Sequence, residues 1–117
     1  MTDSVDAHGP SATVSIPHLI DGLAGPWMPV DVAGANDSIL RVALLEGKFP
    51  WHVHDEDELF VCWDGAFRIE IEGQPSIELA AGDVFVVARG LRHRPVASRP
   101  AHALLLERPE TKQYGNQ

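Results

Sequence analysis

The sequence contains little of several residue classes, and each shortage argues against a kind of protein. Its single cysteine, Cys62, excludes a disulfide within the chain, so a reducing, cytoplasmic setting is the simpler expectation. Lys and Arg together number 9 against 17 Asp and Glu, a formal net charge of −8. We therefore expect no nucleic-acid partner, because binding phosphates needs clustered basic side chains. No apolar run approaches the roughly 20 residues of a transmembrane helix, so we expect no membrane partner.

The length and composition predict one folded domain. The chain has 117 residues, of which 44% are hydrophobic and 22% charged, as in ordinary globular proteins. Residues 1–14 are small and polar with no apolar stretch, which predicts a flexible tail and no signal peptide. We expect the domain to span residues 15–108. Residues 109–117 are expected to form a loose C-terminal tail, with a short capping strand as the alternative.

Short apolar segments alternate with turn residues, which predicts an all-β fold. Ser15–Val32 is rich in Pro and Gly, and this favours extended pieces and turns over a helix. Asp64-Gly65 indicates a hairpin, and the strand after it alternates apolar and charged residues. Short strands with regular turns are typical of a sandwich or barrel. The predicted strands are Ser38–Leu45, Phe49–His54, Leu59–Trp63, Phe67–Ile71, Ile77–Leu79, Val84–Ala88, His93–Ala97 and Ala103–Leu106.

Three histidines and a carboxylate form a candidate metal site. His52 and His54 are two residues apart, so in a strand both imidazoles lie on one face. His93 follows a Gly-containing turn and begins a strand, so a hairpin can bring it beside them. Glu58 is preferred to the acidic residues at 55–57, which we interpret as a solvated turn, because a strand follows it directly. Imidazole and carboxylate ligands together suit divalent Fe, Mn, Ni, Zn or Cu.

These residues fall at the spacing of two motifs of a known family, except that the spacer between Gly47 and His52 is one residue short. The first motif has Gly47, His52, His54, Glu58 and Gly65, and the second has Gly82, Gly90 and His93. Ala88 and Ala97 replace the proline and asparagine of the second motif. Over residues 38–108 the chain resembles the cupin family, as a small single-domain member. The resemblance implies a double-stranded β-helix, or jelly-roll barrel, with His52, His54, Glu58 and His93 as metal ligands.

The residues that line a pocket beside this site are predicted from strand parity. If Glu58 points inward, Phe60 and Cys62 do too, with Phe67 across the hairpin. Cys62 is better explained as a core residue than as a nucleophile. Glu107 is expected to face outward, which places His102 on the inner face near the pocket mouth; a surface position for His102 is the alternative. Arg41 either anchors an anionic substrate or faces solvent.

The resemblance implies a small-molecule ligand and leaves two functions open. One is an enzyme acting through a divalent metal, oxygenase-like or isomerase-like, on a small organic acid or diketone. The alternative is a non-catalytic module that binds a small ligand through its metal. Small cupins commonly form homodimers, so Ile16–Val32 is expected to cross to a neighbour's sheet.

Overall fold

The structure is a computed structural model that describes residues 13–116. Residues 1–12 of the expected tail, which was predicted to span residues 1–14, lie outside this range. Within it, no helix is long and apolar enough to cross a membrane. The described elements are α1 (Ile16–Asp21), β1 (Val30–Ala35), β2 (Ser38–Lys48), β3 (Glu58–Asp64), β4 (Ala66–Ile71), β5 (Ile77–Ala80), β6 (Val84–Val87) and β7 (His93–Glu107).

The long strand β7 organises the antiparallel sheet. Its C-terminal half pairs with β3, its N-terminal half pairs with β4, and β2 runs along both halves. Beyond these neighbours, β1 pairs with β2, β6 with β3 and β5 with β4. The pairing of β2 with β7 shifts register between Leu45 and Gly47, so the sheet bends into two faces there. This is the all-β jelly-roll architecture that the sequence predicts, although two predicted strands are joined into β7.

The predicted hairpin at Asp64-Gly65 is wrong. β3 and β4 do not pair with each other, because each pairs with a different half of β7. Gly65 has φ +72°, and a Cβ there would lie 3.0 Å from the Cβ of Ala101. Glycine is therefore needed where the chain passes from one face of the barrel to the other across the bend of β7.

The core lies between the two faces and is filled by alternate residues of the strands. Phe67, Ile69 and Ile71 of β4 are buried, as their alternation with charged residues predicts. On β7 the inward side chains include Ala101 and Ala103, whose small size lets the facing strands approach. A second, smaller cluster lies on the outer side of β1, β2 and β7, where α1 covers it.

The helix α1 corrects the expectation of an extended segment at Ser15–Val32. Ser15 caps it by accepting a hydrogen bond from the His18 amide, and Pro17 stands in the first turn, where a missing N–H has no cost. Leu19 and Ile20 pack on the outer cluster of the same chain. An extended dimer strand over the whole segment is thus wrong, whereas the homodimer itself stays a prediction.

The predicted strand Phe49–His54 is also absent from the described structure. Residues 49–57 form a loop, which bonds to β7 through the Phe49 amide, a donor to the Pro95 carbonyl oxygen at 3.1 Å, and through an isolated bridge between His52 and His93. Pro50 lacks the N–H that a ladder would need there. The side chains of the loop nevertheless alternate, and both His52 and His54 are buried.

Candidate metal centre

Four donor residues converge at one end of the barrel. His52 and His54 come from the loop, Glu58 opens β3 and His93 opens β7. One donor atom from each residue lies within 4.8 Å of all the others, and all four residues are buried. The structure thus brings together the four residues that the sequence singled out, although they do not share a strand face.

Backbone carbonyl groups orient two of the imidazoles. The Nδ1 of His52 lies 2.8 Å from the carbonyl oxygen of Pro50, and the Nδ1 of His93 lies 2.9 Å from that of Leu91. A neutral imidazole that donates its Nδ1–H to a carbonyl presents the lone pair of Nε2 on its other side. Histidine ligands of metals usually have their second ring nitrogen fixed in this way.

The atoms that face the centre of the cluster have no hydrogen-bond partner among the described residues. They include Nε2 of His54, Oε1 of Glu58 and Nε2 of His93. Glu58 Oε1 lies 3.4 Å from His54 Nε2 and 3.6 Å from His93 Nε2. Donors bound to one ion at about 2.0–2.2 Å stand roughly 3–4.4 Å apart, so this arrangement fits a divalent metal. Buried polar atoms normally have partners, and an ion would supply one to all of them.

The ionisation of the cluster also suits a metal. Burial lowers the pKa of His52 to about 4, against a smaller opposing effect of its hydrogen bond to Pro50. His52 is therefore neutral near pH 7, as a ligand must be. Burial alone would raise the pKa of Glu58, but its contacts with His54 and His93 outweigh this and lower it, so the carboxylate is ionised.

A cavity of about 320 Å³ opens beside the cluster. His52 and Glu58 reach it from the metal side, and Phe60 is the predicted pocket residue that lines it. The other lining residues are Trp27, Pro29, Asp31, Arg41, Ala43, Leu45, Phe49, Pro95, Leu105, Glu107, Thr111 and Gln113. The aromatic and aliphatic walls with a few polar groups are typical of a small-molecule site.

The other predicted pocket residues lie elsewhere. Cys62 and Phe67 are buried in the apolar core and do not line this cavity, and burial raises the pKa of the Cys62 thiol. This confirms the core role expected for Cys62. His102 is on the opposite face of β7, where its Nδ1 lies 2.8 Å from Asp64 Oδ1. The alternative of a surface position for His102 was therefore correct.

Glu107 was expected to face outward, and this was wrong. Glu107 is buried and lines the cavity. Because Leu106 pairs with Leu59 in the antiparallel ladder, the next residue, Glu107, lies beside Glu58. Burial raises the pKa of Glu107, and the adjoining Glu58 carboxylate adds to the rise, although Arg41 opposes it. The parity assignment failed because apolar residues occupy both faces of β7, so hydrophobicity did not identify the inner one.

Arg41 is neither free for a substrate anion nor directed at solvent. Its Nε binds Asp31 Oδ1 at 3.0 Å, its Nη1 donates to Glu107 Oε2, and its Nη2 binds the carbonyl oxygen of Pro109 at 3.1 Å. The guanidinium group therefore holds Glu107 in place and joins the sheet to the C-terminal segment.

The C-terminal segment 109–116 packs against the cavity instead of forming a loose end. Tyr114 stacks on Phe49 with ring centroids 4.7 Å apart. The amide of Asn116 donates to the Val53 carbonyl oxygen at 2.7 Å, and its side-chain oxygen accepts from the Asp55 amide at 2.9 Å. We call residues 109–116 the strap, because they tie the histidine loop to the barrel. Their polar sequence gave no periodic signal for this role.

Comparison with known proteins agrees with this geometry. Residues 40–107 match the model of the cupin domain, Cupin_2. The chain belongs to the cupin family. This cupin is also 33% identical over 64 residues to the uncharacterised protein YdbB of Bacillus subtilis (strain 168). That match spans 54% of the cupin and 57% of YdbB, about half of each.

Solved structures share the fold. A cupin-2 domain protein from Shewanella frigidimarina NCIMB 400 is 29% identical, with a TM-score of 0.77 over 81% of this cupin and 93% of that chain. The hydroquinone 1,2-dioxygenase PnpCD, in complex with Cd²⁺ and 4-hydroxybenzonitrile, is 20% identical. Its TM-score is 0.69 over 81% of this cupin and 71% of that chain, and the likeness concerns the fold alone.

Proposed function

We propose that this cupin is an enzyme that acts through a divalent metal on a small organic molecule, in an oxygenase-like or isomerase-like reaction. His52, His54, Glu58 and His93 would hold the metal. The observation that carries the proposal is that these unpartnered donors adjoin a cavity of about 320 Å³. A metal site buried without a cavity would instead favour a structural ion.

The described residues would perform distinct parts of such a reaction. When bound, the metal would supply Lewis-acid activation of an oxygen atom of the substrate, and iron would add redox chemistry. Phe49, Phe60 and Leu105 give the cavity apolar walls that exclude water. Glu107, which lies beside the ligand Glu58 and has an unpartnered Oε1, can exchange a proton with a molecule in the cavity.

Metal content and turnover test the proposal together. The purified protein is analysed for elements, reloaded separately with Fe(II), Mn(II), Ni(II), Cu(II) and Zn(II), and assayed for oxygen uptake and product formation with small oxygen-containing substrates. We expect one metal per chain, and turnover with at least one metal that is absent after chelation. A full metal complement without turnover would favour the binding module. Less than about 0.1 metal per chain after every reloading would contradict the metal site itself.

A further inference from the structure

Trp27 has a backbone conformation that bulky side chains rarely adopt. Its φ is +61°, and among the described residues other than glycine only Asn36, with φ +54°, shares this left-handed region. Asn36 stands in the turn between β1 and β2, and asparagine tolerates the conformation well. A tryptophan there is strained, and such strain persists only where the surrounding structure imposes it.

Three hydrogen bonds hold Trp27 in this conformation. Its amide donates to the carbonyl oxygen of Leu44 at 2.9 Å, and its own carbonyl oxygen accepts from Nε2 of Gln113 in the strap at 2.7 Å. Its indole Nε1 donates to the carbonyl oxygen of Glu46 at 2.9 Å. Because the one polar atom of the indole is already bonded, the side chain offers a ligand apolar aromatic surface alone.

The fixed indole belongs to an aromatic wall that reaches the metal ligands. Trp27 lines the cavity together with Phe49 and Phe60. The ring centroids of Trp27 and Phe49 are 5.0 Å apart, and Phe49 meets the imidazole of His52 edge-on at 5.2 Å. His52 is one of the four proposed metal ligands and lines the same cavity. A ring compound that places an oxygen atom at the metal site would therefore have this wall beside it.

We infer that Trp27 is a specificity-determining residue, which favours a planar aromatic ring over a saturated ring of the same size. The inference rests on the proposed metal function and narrows its substrate class to small aromatic compounds with an oxygen substituent. A flat ring can stack on the indole or stand edge-on against it, and such a pair is more favourable than the burial of the same apolar area. A puckered saturated ring buries apolar surface but makes no such pair. The preference does not depend on the charge of any side chain in the cavity.

Benzoate and cyclohexanecarboxylate test this preference. Each carries one carboxylate on a six-membered ring, and both are ionised at neutral pH, so the group that they offer to the metal is the same. Each is titrated calorimetrically into zinc-loaded protein, because zinc is redox-inert, and the zinc content is measured before and after. We expect benzoate to bind about three- to tenfold more tightly, although cyclohexanecarboxylate is the more hydrophobic of the two.

Three variants assign the preference to the indole. Trp27→Leu keeps an apolar side chain but removes the ring, so the two ligands should bind within about twofold of each other. Trp27→Phe also loses the hydrogen bond to Glu46 but keeps an aromatic ring, so it should retain a preference of about threefold. Trp63→Leu makes the same change at an exposed residue outside the cavity and should keep the native preference. A purely structural role of Trp27 would weaken both ligands alike and leave their ratio unchanged.

Nuclear magnetic resonance measures the contact in the native protein, without any substitution in the cavity. With zinc-loaded protein saturated by benzoate, we expect nuclear Overhauser effects between the ring protons of benzoate and the indole protons of Trp27. The indole signals are assigned by their loss in Trp27→Phe. This measurement tests the inference even if Trp27→Leu does not fold.

Several outcomes would overturn the inference. Equal affinities of the native protein for the two acids, or no binding of benzoate up to about 10 mM, would remove the selection. With one zinc per chain, either result would leave the metal proposal intact. An unchanged preference in Trp27→Leu, or bound benzoate without contact to the indole, would show that Trp27 does not select. A native protein that takes up no zinc or other divalent metal would overturn the proposed function and this inference with it.

Discussion

His52 and His93 are joined by their backbones as well as brought together by their side chains. The amide of each donates to the carbonyl oxygen of the other at 3.0 Å, and their imidazole centroids are 4.4 Å apart. The bridge therefore fixes the backbone positions of two donors, one from the loop and one from β7, through hydrogen bonds within the chain. Preorganisation of this kind reduces the ordering cost when a metal binds.

Metal binding should stabilise the fold. At a free zinc concentration of 100 times Kd, binding to the folded state alone adds about 2.7 kcal/mol to the free energy of unfolding. For a domain of this size the melting temperature should rise by roughly 10 °C. The measurement is differential scanning calorimetry of chelator-treated, dialysed protein with and without added zinc.

Two histidine variants serve as the contrast for this shift. His93→Ala removes a donor of the cluster and should abolish most of the rise. His102→Ala removes an imidazole outside the cluster and should keep the full rise. Equal shifts in both variants would show that zinc binds elsewhere.

Acid should destabilise the metal-free protein through His52. Because burial lowers the pKa of this histidine to about 4 in the folded protein, the unfolded chain, with a pKa near 6.5, binds its proton first. This contribution to stability is fully present above about pH 6.5 and is lost as the pH falls toward 4. The slope from this single group is at most about 1.4 kcal/mol per pH unit. Urea unfolding between pH 7 and 4.5 measures it.

The His52→Asn variant isolates that slope. It cannot take up the proton, so the decline of its unfolding free energy with falling pH should be shallower than that of the native protein. Parallel curves for the two proteins would mean that His52 titrates alike in the folded and unfolded states.

Replacing Arg41 should destabilise the protein. Arg41→Ala leaves the buried carboxyl group of Glu107 without its cationic partner and loses the bond to the Pro109 carbonyl. Because Arg41 is partly exposed, we expect a loss of about 2–3 kcal/mol, at or below the low end for a fully buried pair. Chemical denaturation measures the loss. Arg108→Ala, which breaks a solvent-exposed pair with Glu110, should leave the denaturation midpoint unchanged.

Alanine substitutions at two glycines should distinguish the cost of a positive φ from the cost of a steric clash. Gly65→Ala combines a positive φ with a Cβ only 3.0 Å from Ala101, so we expect a loss of about 2–4 kcal/mol. Gly73→Ala has a similar φ of +77° and no neighbour within 4 Å, so it should cost only about 1 kcal/mol. Thermal unfolding compares the two. Equal losses of stability in the two variants would mean that β7 shifts to accommodate the added methyl group at residue 65.

The strap should support the histidine loop. Tyr114→Ala removes the ring stacked on Phe49, a contact worth about 0.5–1.5 kcal/mol beyond area burial. We expect faster amide exchange at residues 52–55 and weaker zinc binding, measured by hydrogen exchange and metal competition. Val84→Ala trims an exposed side chain on β6 and is the control. Unchanged amide exchange in Tyr114→Ala would show that the loop keeps its structure without the contact from the strap.

The metal cluster could be predicted from sequence even though the local structure around it could not. His52 and His54 are buried and alternate with less buried neighbours along an extended loop, as they would along a strand. The predicted strand was therefore wrong, but the side-chain direction inferred from it was correct. The family spacing then added Glu58 and His93, which pairing with distant strands brings into place.

The cavity could not be predicted because it depends on which face of β7 points inward. Leu104 packs on Val42 and Val32 outside the barrel, while Leu105 lines the cavity inside. Both faces are apolar since α1 covers the outer one, so parity could not be fixed from hydrophobicity. The strap was missed for a different reason: its contacts with Phe49 and Val53 join residues far apart in the chain.

Because both faces of the barrel pair with β7, we expect the barrel to fold only once β7 is available. During synthesis, β2, β3 and β4 emerge from the ribosome before β7, the one strand with which all three of them pair. Such non-local pairing gives a high contact order and folding in the range of milliseconds to seconds. Nascent chains that stop before His93 should therefore stay sensitive to protease, and protection should arise in one late step as β7 is released.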